Sequence, residues 1–242
     1  TTDCRACRCP NRPFSLWPNV ICHMSGMDRR RFLVSTAAVA CLAGMSPLQA
    51  ARGSVREWEI GPRIRGRNYS LGMPPHPEAA DEGWFFDFPG PRRADGHVHY
   101  LTRRTAPLDT ARGLRLRYRI EAAPHTRFVP QEFPDREATL SLFIQRAGDD
   151  WLALNGTQFH RWYSPADRVV PLTRGTHDIT IWFEENWISV MGSDRERSPR
   201  AFADTLTNAA RIGFTLGSAG GRGHGVFATG PARLTVLDFA VL

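Results

Sequence analysis

Short runs in which apolar and polar residues alternate, divided by turn signals, constrain the fold of this chain more than any other feature. Leu114, Leu116, Tyr118 and Ile120 alternate with Arg115, Arg117, Arg119 and Glu121. Successive side chains of a strand point to opposite faces, so this run presents one apolar face and one charged face. Leu140, Leu142 and Ile144 alternate with Ser141, Phe143 and Gln145 in the same way. Ile179, Ile181 and Phe183 alternate with Thr180, Trp182 and Glu184, and Ile212, Phe214 and Leu216 with Gly213, Thr215 and Gly217. The last run, 233–242, is rich in Val, Leu and Phe and reads as a central strand. Its apolar phase slips near Asp238, which predicts a bulge. Turn residues separate the runs at Gly148-Asp149-Asp150, Thr173-Arg174-Gly175 and Glu184-Glu185-Asn186. The last of these lies between Phe183 and Trp187 and reads as a hairpin connection. Only a short stretch around 201–210 reads as helix. Many strands and almost no helix predict an all-β fold, a jelly-roll β-sandwich of two antiparallel sheets.

The N-terminal third is organised differently. Residues 1–26 mix Cys, Pro, Arg and Trp without periodicity and read as an upstream or unstructured extension, with Cys4-x-x-Cys7-x-Cys9 as a metal-binding alternative. From Met27 a charged start, Asp28-Arg29-Arg30-Arg31-Phe32-Leu33, leads into an apolar run from Leu33 to Met45. That run has about 13 residues, against about 20 for a membrane-spanning helix, and it fits the apolar region of a signal peptide. The paired arginines followed by Phe-Leu resemble the twin-arginine signals of bacteria. The resemblance implies that 27–50 is removed, that the precursor meets the twin-arginine export machinery, and that the product is periplasmic or secreted. An ordinary secretory signal is the alternative. Residues 51–83 are then expected as an N-terminal strand and Pro-rich loop, and 84–242 as the sandwich. No second apolar run of spanning length follows, so no membrane span is expected in the mature domain.

Charge and cysteine usage gain meaning from this division. The whole chain carries a formal +7, but residues 51–242 hold 25 Arg against 22 acidic residues. No basic block stands out, which argues against nucleic-acid binding. All five cysteines precede residue 51, so no disulfide or Cys-ligated metal is expected in the mature domain.

The runs Gly175-Thr176-His177-Asp178-Ile179-Thr180-Ile181-Trp182-Phe183, Trp187-Ile188-Ser189-Val190-Met191-Gly192 and Ala210-Arg211-Ile212-Gly213-Phe214-Thr215-Leu216-Gly217 resemble the back half of concanavalin A-like lectin and laminin-G-like sandwiches. Residues 84–242 fall within the resemblance. It implies the sandwich fold; many such domains bind or cleave glycans, and many do neither.

Several groups of side chains suggest chemistry. His97 and His99 share one face of a strand and form a weak metal or catalytic pair, with His125, His160, His177 or His224 as a third ligand. The segment Gln158-Phe159-His160-Arg161-Trp162-Tyr163 combines aromatic planes with hydrogen-bonding groups. That combination suits sugars, which present C–H faces ringed by hydroxyls. Trp151, Trp182 and Trp187 are further platforms. Arg115, Arg117 and Arg119 form an outward row suited to an acidic polysaccharide, or else a solvated face. The glycine-rich loop 217–225 reads as a tight turn that exposes Arg222 and His224. A strand, not a helix, follows it, which argues against a phosphate loop. No nucleophile elbow, His-Glu-x-x-His or closely spaced Glu-x-Asp-x-x-Glu occurs in the mature chain.

The expectation is therefore an exported carbohydrate-binding sandwich, without a cofactor and without its own catalysis. The alternatives are a glycoside hydrolase or polysaccharide lyase, with His97, His99, Tyr163 and Arg117 as acid–base candidates, and a structural envelope domain that recognises protein.

Overall fold

The computed structural model describes residues 55–91, 98–154 and 156–242. The extension 1–26, the signal-like segment 27–50 and His97 lie outside the described residues.

In chain order the strands are β1 (Trp58–Gly61), β2 (Arg63–Ile64), β3 (Arg67–Asn68), β4 (Glu78–Ala79), β5 (Trp84–Asp87) and β6 (His99–Arg104). They continue with β7 (Gly113–Ala122), β8 (Phe128–Pro130), β9 (Thr139–Arg146), β10 (Arg161–Tyr163), β11 (Val170–Pro171) and β12 (Gly175–Trp182). The last are β13 (Ile188–Ser189), β14 (Ala209–Gly217), β15 (Val226–Ala228) and β16 (Ala232–Val241). The α-helix α1 (Pro199–Thr207) precedes β14.

A seven-stranded sheet has the order β1-β6-β14-β9-β10-β13, with β11 also on β9. A five-stranded sheet has the order β12-β7-β16-β5-β4. Every pairing is antiparallel. The chain passes between these two sheets from β1 to β4, β5 to β6, β6 to β7, β7 to β9, β11 to β12, β12 to β13 and β14 to β16, the repeated crossing of a jelly roll.

Alternation explains the core. Leu114, Leu116, Tyr118 and Ile120 of β7 face inward and are buried, as are Leu140, Leu142 and Ile144 of β9 and Ile212, Phe214 and Leu216 of β14. Trp58 and Trp84 meet across the two sheets at 4.6 Å, and Phe214 stacks on Trp84 at 6.2 Å. Burying a large side chain of this kind contributes about 1.5–3 kcal/mol. The predicted central strand is β16, between β7 and β5, and its register shifts between Val236 and Asp238, where the phase slip predicted a bulge. Helix α1 starts on Pro199 and buries Phe202 against Trp162 and Trp187.

Two expectations are corrected. The connection 184–186 is not a hairpin. Strand β12 pairs with β7 and β13 with β10, so the chain changes sheets there, and Trp187 is buried in the core beside Phe183. The sandwich also begins before residue 84: β1 pairs with β6, and Trp58 and Ile60 are core residues.

Candidate functional site

The alternation of β9 has an anomaly. Phe143 occupies the phase of Ser141 and Gln145, and all of these side chains are buried although they face away from the main core. The outer face of the seven-stranded sheet therefore carries a second apolar cluster, in which Tyr100 of β6, Phe143 of β9 and Tyr163 of β10 are backed by Val98, Trp151 and Val190. Tyr100 meets Phe143 edge-on at 4.9 Å, and the Tyr100 and Tyr163 hydroxyls are 2.7 Å apart. Burial raises the pKa of both phenols, most strongly that of Tyr100, while Arg161 partly offsets the rise at Tyr163. Both stay neutral at ordinary pH and act as hydrogen-bonding groups.

The loop after β9 forms one wall. Trp151 and Ala153 adopt φ values of 68° and 56°, a left-handed conformation that costs non-glycine residues energy. Polar anchors hold it there. The Asp149 carboxylate, 1% exposed, lies 3.1 Å from Arg161 Nε and accepts a 2.7 Å hydrogen bond from Gln145 Nε2. Asp150 Oδ1 accepts from the Leu152 amide at 2.9 Å, the first cause of a carboxyl pKa below its usual range. The Arg161 guanidinium lies 5.1 Å from the Trp151 ring centre, and Trp151 stands edge-on to Tyr100 at 4.9 Å. Trp151 is thereby held over the tyrosine floor.

The glycine-rich loop 217–225 forms the facing wall. Its backbone is tied to the seven-stranded sheet: the His99 amide donates to Gly223 O at 2.9 Å and the Gly225 amide to Leu216 O at 2.9 Å. Gly223 has φ 80° and lies against the Tyr100 ring, where a Cβ would collide. This close approach places Arg222 and His224 at the groove. His224 Nδ1 is 2.8 Å from Glu132 Oε2. The remaining boundary is largely apolar, with Ile64, Tyr69, Ile188, Val190 and Met191 beside Ser189. The groove measures about 690 Å³, within the range of small-ligand sites.

Of the residues singled out by sequence, the structure brings Arg161, Tyr163, Arg222 and His224 together in this groove, with Trp151. It does not bring Trp162 there. Period two that turns Arg161 and Tyr163 outward turns Trp162 inward, where it is fully buried and donates from Nε1 to Phe159 O at 2.7 Å and to Thr205 Oγ1 at 3.1 Å. His160 faces Arg146, with Nε2 and Nη1 2.9 Å apart, outside the groove lining. Trp187 is a core residue and Trp182 lies at the end of β12 in the other sheet.

The row Arg115, Arg117 and Arg119 belongs to the outer face of the five-stranded sheet, not to the groove. Arg115 pairs with Asp178, and Arg119 approaches Glu82 at 3.7 Å and Glu121 at 3.6 Å. His99 is sealed in the interior, on the phase opposite to Tyr100, and its Nδ1 accepts from the Val226 amide at 3.1 Å. A solvent-reached catalytic role for His99 does not fit that placement. His177 stacks on Tyr118 at 4.9 Å. Among the described residues no three His, Cys, Asp or Glu side chains are grouped to hold a metal.

Tyr100 and Tyr69 are groove residues that sequence reasoning passed over, as is Asp149, which anchors the wall from behind. Tyr100 stood beside the conspicuous His99, in the opposite phase. The available signal was Phe143: an aromatic in the polar phase of a strand marks a second buried face.

Among the described residues, no helix is long and apolar enough to cross a membrane. No family model matches the chain, and no curated protein matches it. Among solved structures it is similar to a xylan-binding module, CBM15, with a TM-score of 0.32 and 15% identity, over 74% of this chain and 90% of that one.

Proposed function

We propose that this chain is an exported glycan-binding β-sandwich that seats a saccharide chain in the groove on the outer face of its seven-stranded sheet. The observation that carries the proposal is the groove itself. Trp151, Tyr69 and the tyrosine floor supply aromatic surface, while Arg161, Arg222 and His224 supply hydrogen-bond donors. Sugar rings need both kinds of contact at once. The Asp149–Arg161 pair and the strands beneath hold these groups in place before ligand arrives, which lowers the entropy cost of binding. Held neutral by burial, Tyr100 and Tyr163 suit hydrogen bonding better than proton abstraction. The signal-like segment 27–50 supports export; cell fractionation that leaves the chain in the cytoplasm counts against it.

Glycan-array screening of the full chain, followed by calorimetry, tests the binding. At least one polysaccharide is expected to bind, and Trp151→Ala to weaken it by about tenfold or more, roughly 1.4 kcal/mol. Absence of binding to every neutral and acidic polysaccharide overturns the proposal. Release of unsaturated or reducing sugar from the same polymers replaces binding by cleavage.

A further inference from the structure

Resting on the glycan-binding reading, we infer that Arg222 forms an anion subsite in the groove and selects glycans that carry carboxylates, such as uronate residues. The other arginine of the groove, Arg161, is matched by Asp149 at 3.1 Å, and His224 Nδ1 stands 2.8 Å from Glu132 Oε2. Arg222 alone adds an uncompensated positive charge. Its guanidinium is half-buried, its Nε is enclosed without a hydrogen-bond partner, and it makes no ion pair among the described residues. Three other half-buried arginines face carboxylates: Arg103 faces Glu57 at 3.7 Å, Arg146 faces Asp204 at 2.9 Å, and Arg211 faces Glu59 at 2.8 Å.

A cation drawn from water without a partner is costly, and an anionic ligand removes that cost on binding. Desolvation pulls the Arg222 pKa down, with Tyr163 the opposing influence, consistent with a site lacking a carboxylate of its own. The planar fork of a guanidinium matches a carboxylate with two parallel hydrogen bonds. The loop places it firmly, because Gly223 next in sequence abuts the Tyr100 ring and the following backbone bonds to β14.

The test compares polygalacturonate, alginate and glucuronoxylan with their carboxyl-reduced counterparts by calorimetry on the full chain. At least one acidic polymer is expected to bind about tenfold tighter than its reduced form, with the preference shrinking as salt rises. Arg222→Gln is expected to abolish the preference, so that the variant binds the acidic and reduced forms equally, and to keep the wild-type Tm, since the guanidinium has no partner in the fold. Arg222→Lys, which keeps charge but not the fork, is expected to retain only part of the preference; full retention overturns the fork-to-carboxylate contact. Equal binding of acidic and reduced polymers, or a preference that survives Arg222→Gln, overturns the anion subsite and leaves glycan binding standing. A large fall in Tm in Arg222→Gln assigns the side chain to the fold and overturns the inference. Failure to bind any polymer in either form overturns both.

Discussion

Asp149 and Arg161 are the residues on which the aromatic wall of the groove depends. Their side chains are 1% and 7% exposed and 3.1 Å apart, so each charge is tolerated only because of the other. Asp149→Ala strands the Arg161 guanidinium and frees the loop that carries Trp151. The expected cost is about 3 kcal/mol, a fall in Tm of roughly 6–12 °C for a domain of this size, read by circular dichroism. The double variant Asp149→Leu, Arg161→Met removes both charges and is expected to recover most of that loss, while glycan binding stays weak because the cation beside Trp151 is gone. Recovery of stability without recovery of binding distinguishes positioning from mere folding. At this scale sequence was informative in part. The segment 158–163 marks Arg161 and Tyr163 as contact residues, without separating them from Trp162. Trp162 was misjudged because a dense aromatic segment does not announce which of its members faces the core.

The strands show the same tension between local pattern and environment. Strand β9 reads as half-buried from its alternation, yet both its faces are covered. It lies between β14 and β10 in the middle of the sheet, and the groove loops cover its outer side. Strand β14, packed between β6 and β9, carries Gly213 where a Cβ would press on the Leu101 carbonyl oxygen. Backbone cannot yield as a flexible side chain can. Gly213→Ala is therefore expected to destabilise the sandwich by about 2 kcal/mol or more, seen as a lower urea midpoint with an unchanged slope. An unchanged midpoint would show that the two strands have room to spread. The segment 184–186 illustrates the limit of turn signals: its composition marks a change of direction, but not whether the chain returns along the same sheet or crosses to the other.

For the molecule as a whole, three buried phenols link stability to alkaline pH. Burial raises the pKa of Tyr100, Tyr118 and Tyr163 above the ordinary value. Below about pH 10 folded and unfolded chains both hold these protons, and the stabilisation is fully present. As pH rises past that value the unfolded chain ionises first, so stability falls progressively until the folded phenols also titrate. Absorbance at 295 nm is expected to show these tyrosines ionising only together with loss of near-ultraviolet dichroism. Ionisation well before that loss would mean that water reaches the groove floor and the inter-sheet core freely. Tyr100 and Tyr163 belong to the groove and Tyr118 to the main core, so simultaneous ionisation would also report that the two apolar faces of the seven-stranded sheet open together.

Sequence by itself determined the sandwich, because a period of two obliges each strand to hide one face and only a second sheet can cover it. It also determined the bulge in β16, the short helix and the outward course of the Arg115 row. It did not determine the groove. Tyr69, Tyr100, Trp151, Tyr163, Met191 and Arg222 come from six separated parts of the chain, and alternation states a side chain's face but not its neighbour across the sheet. The outer face of the seven-stranded sheet became a floor because loops 147–154 and 217–225 close over it. The outer face of the five-stranded sheet stayed an ion-paired surface. That asymmetry arises from long-range strand order and loop placement, which only the assembled tertiary structure decides.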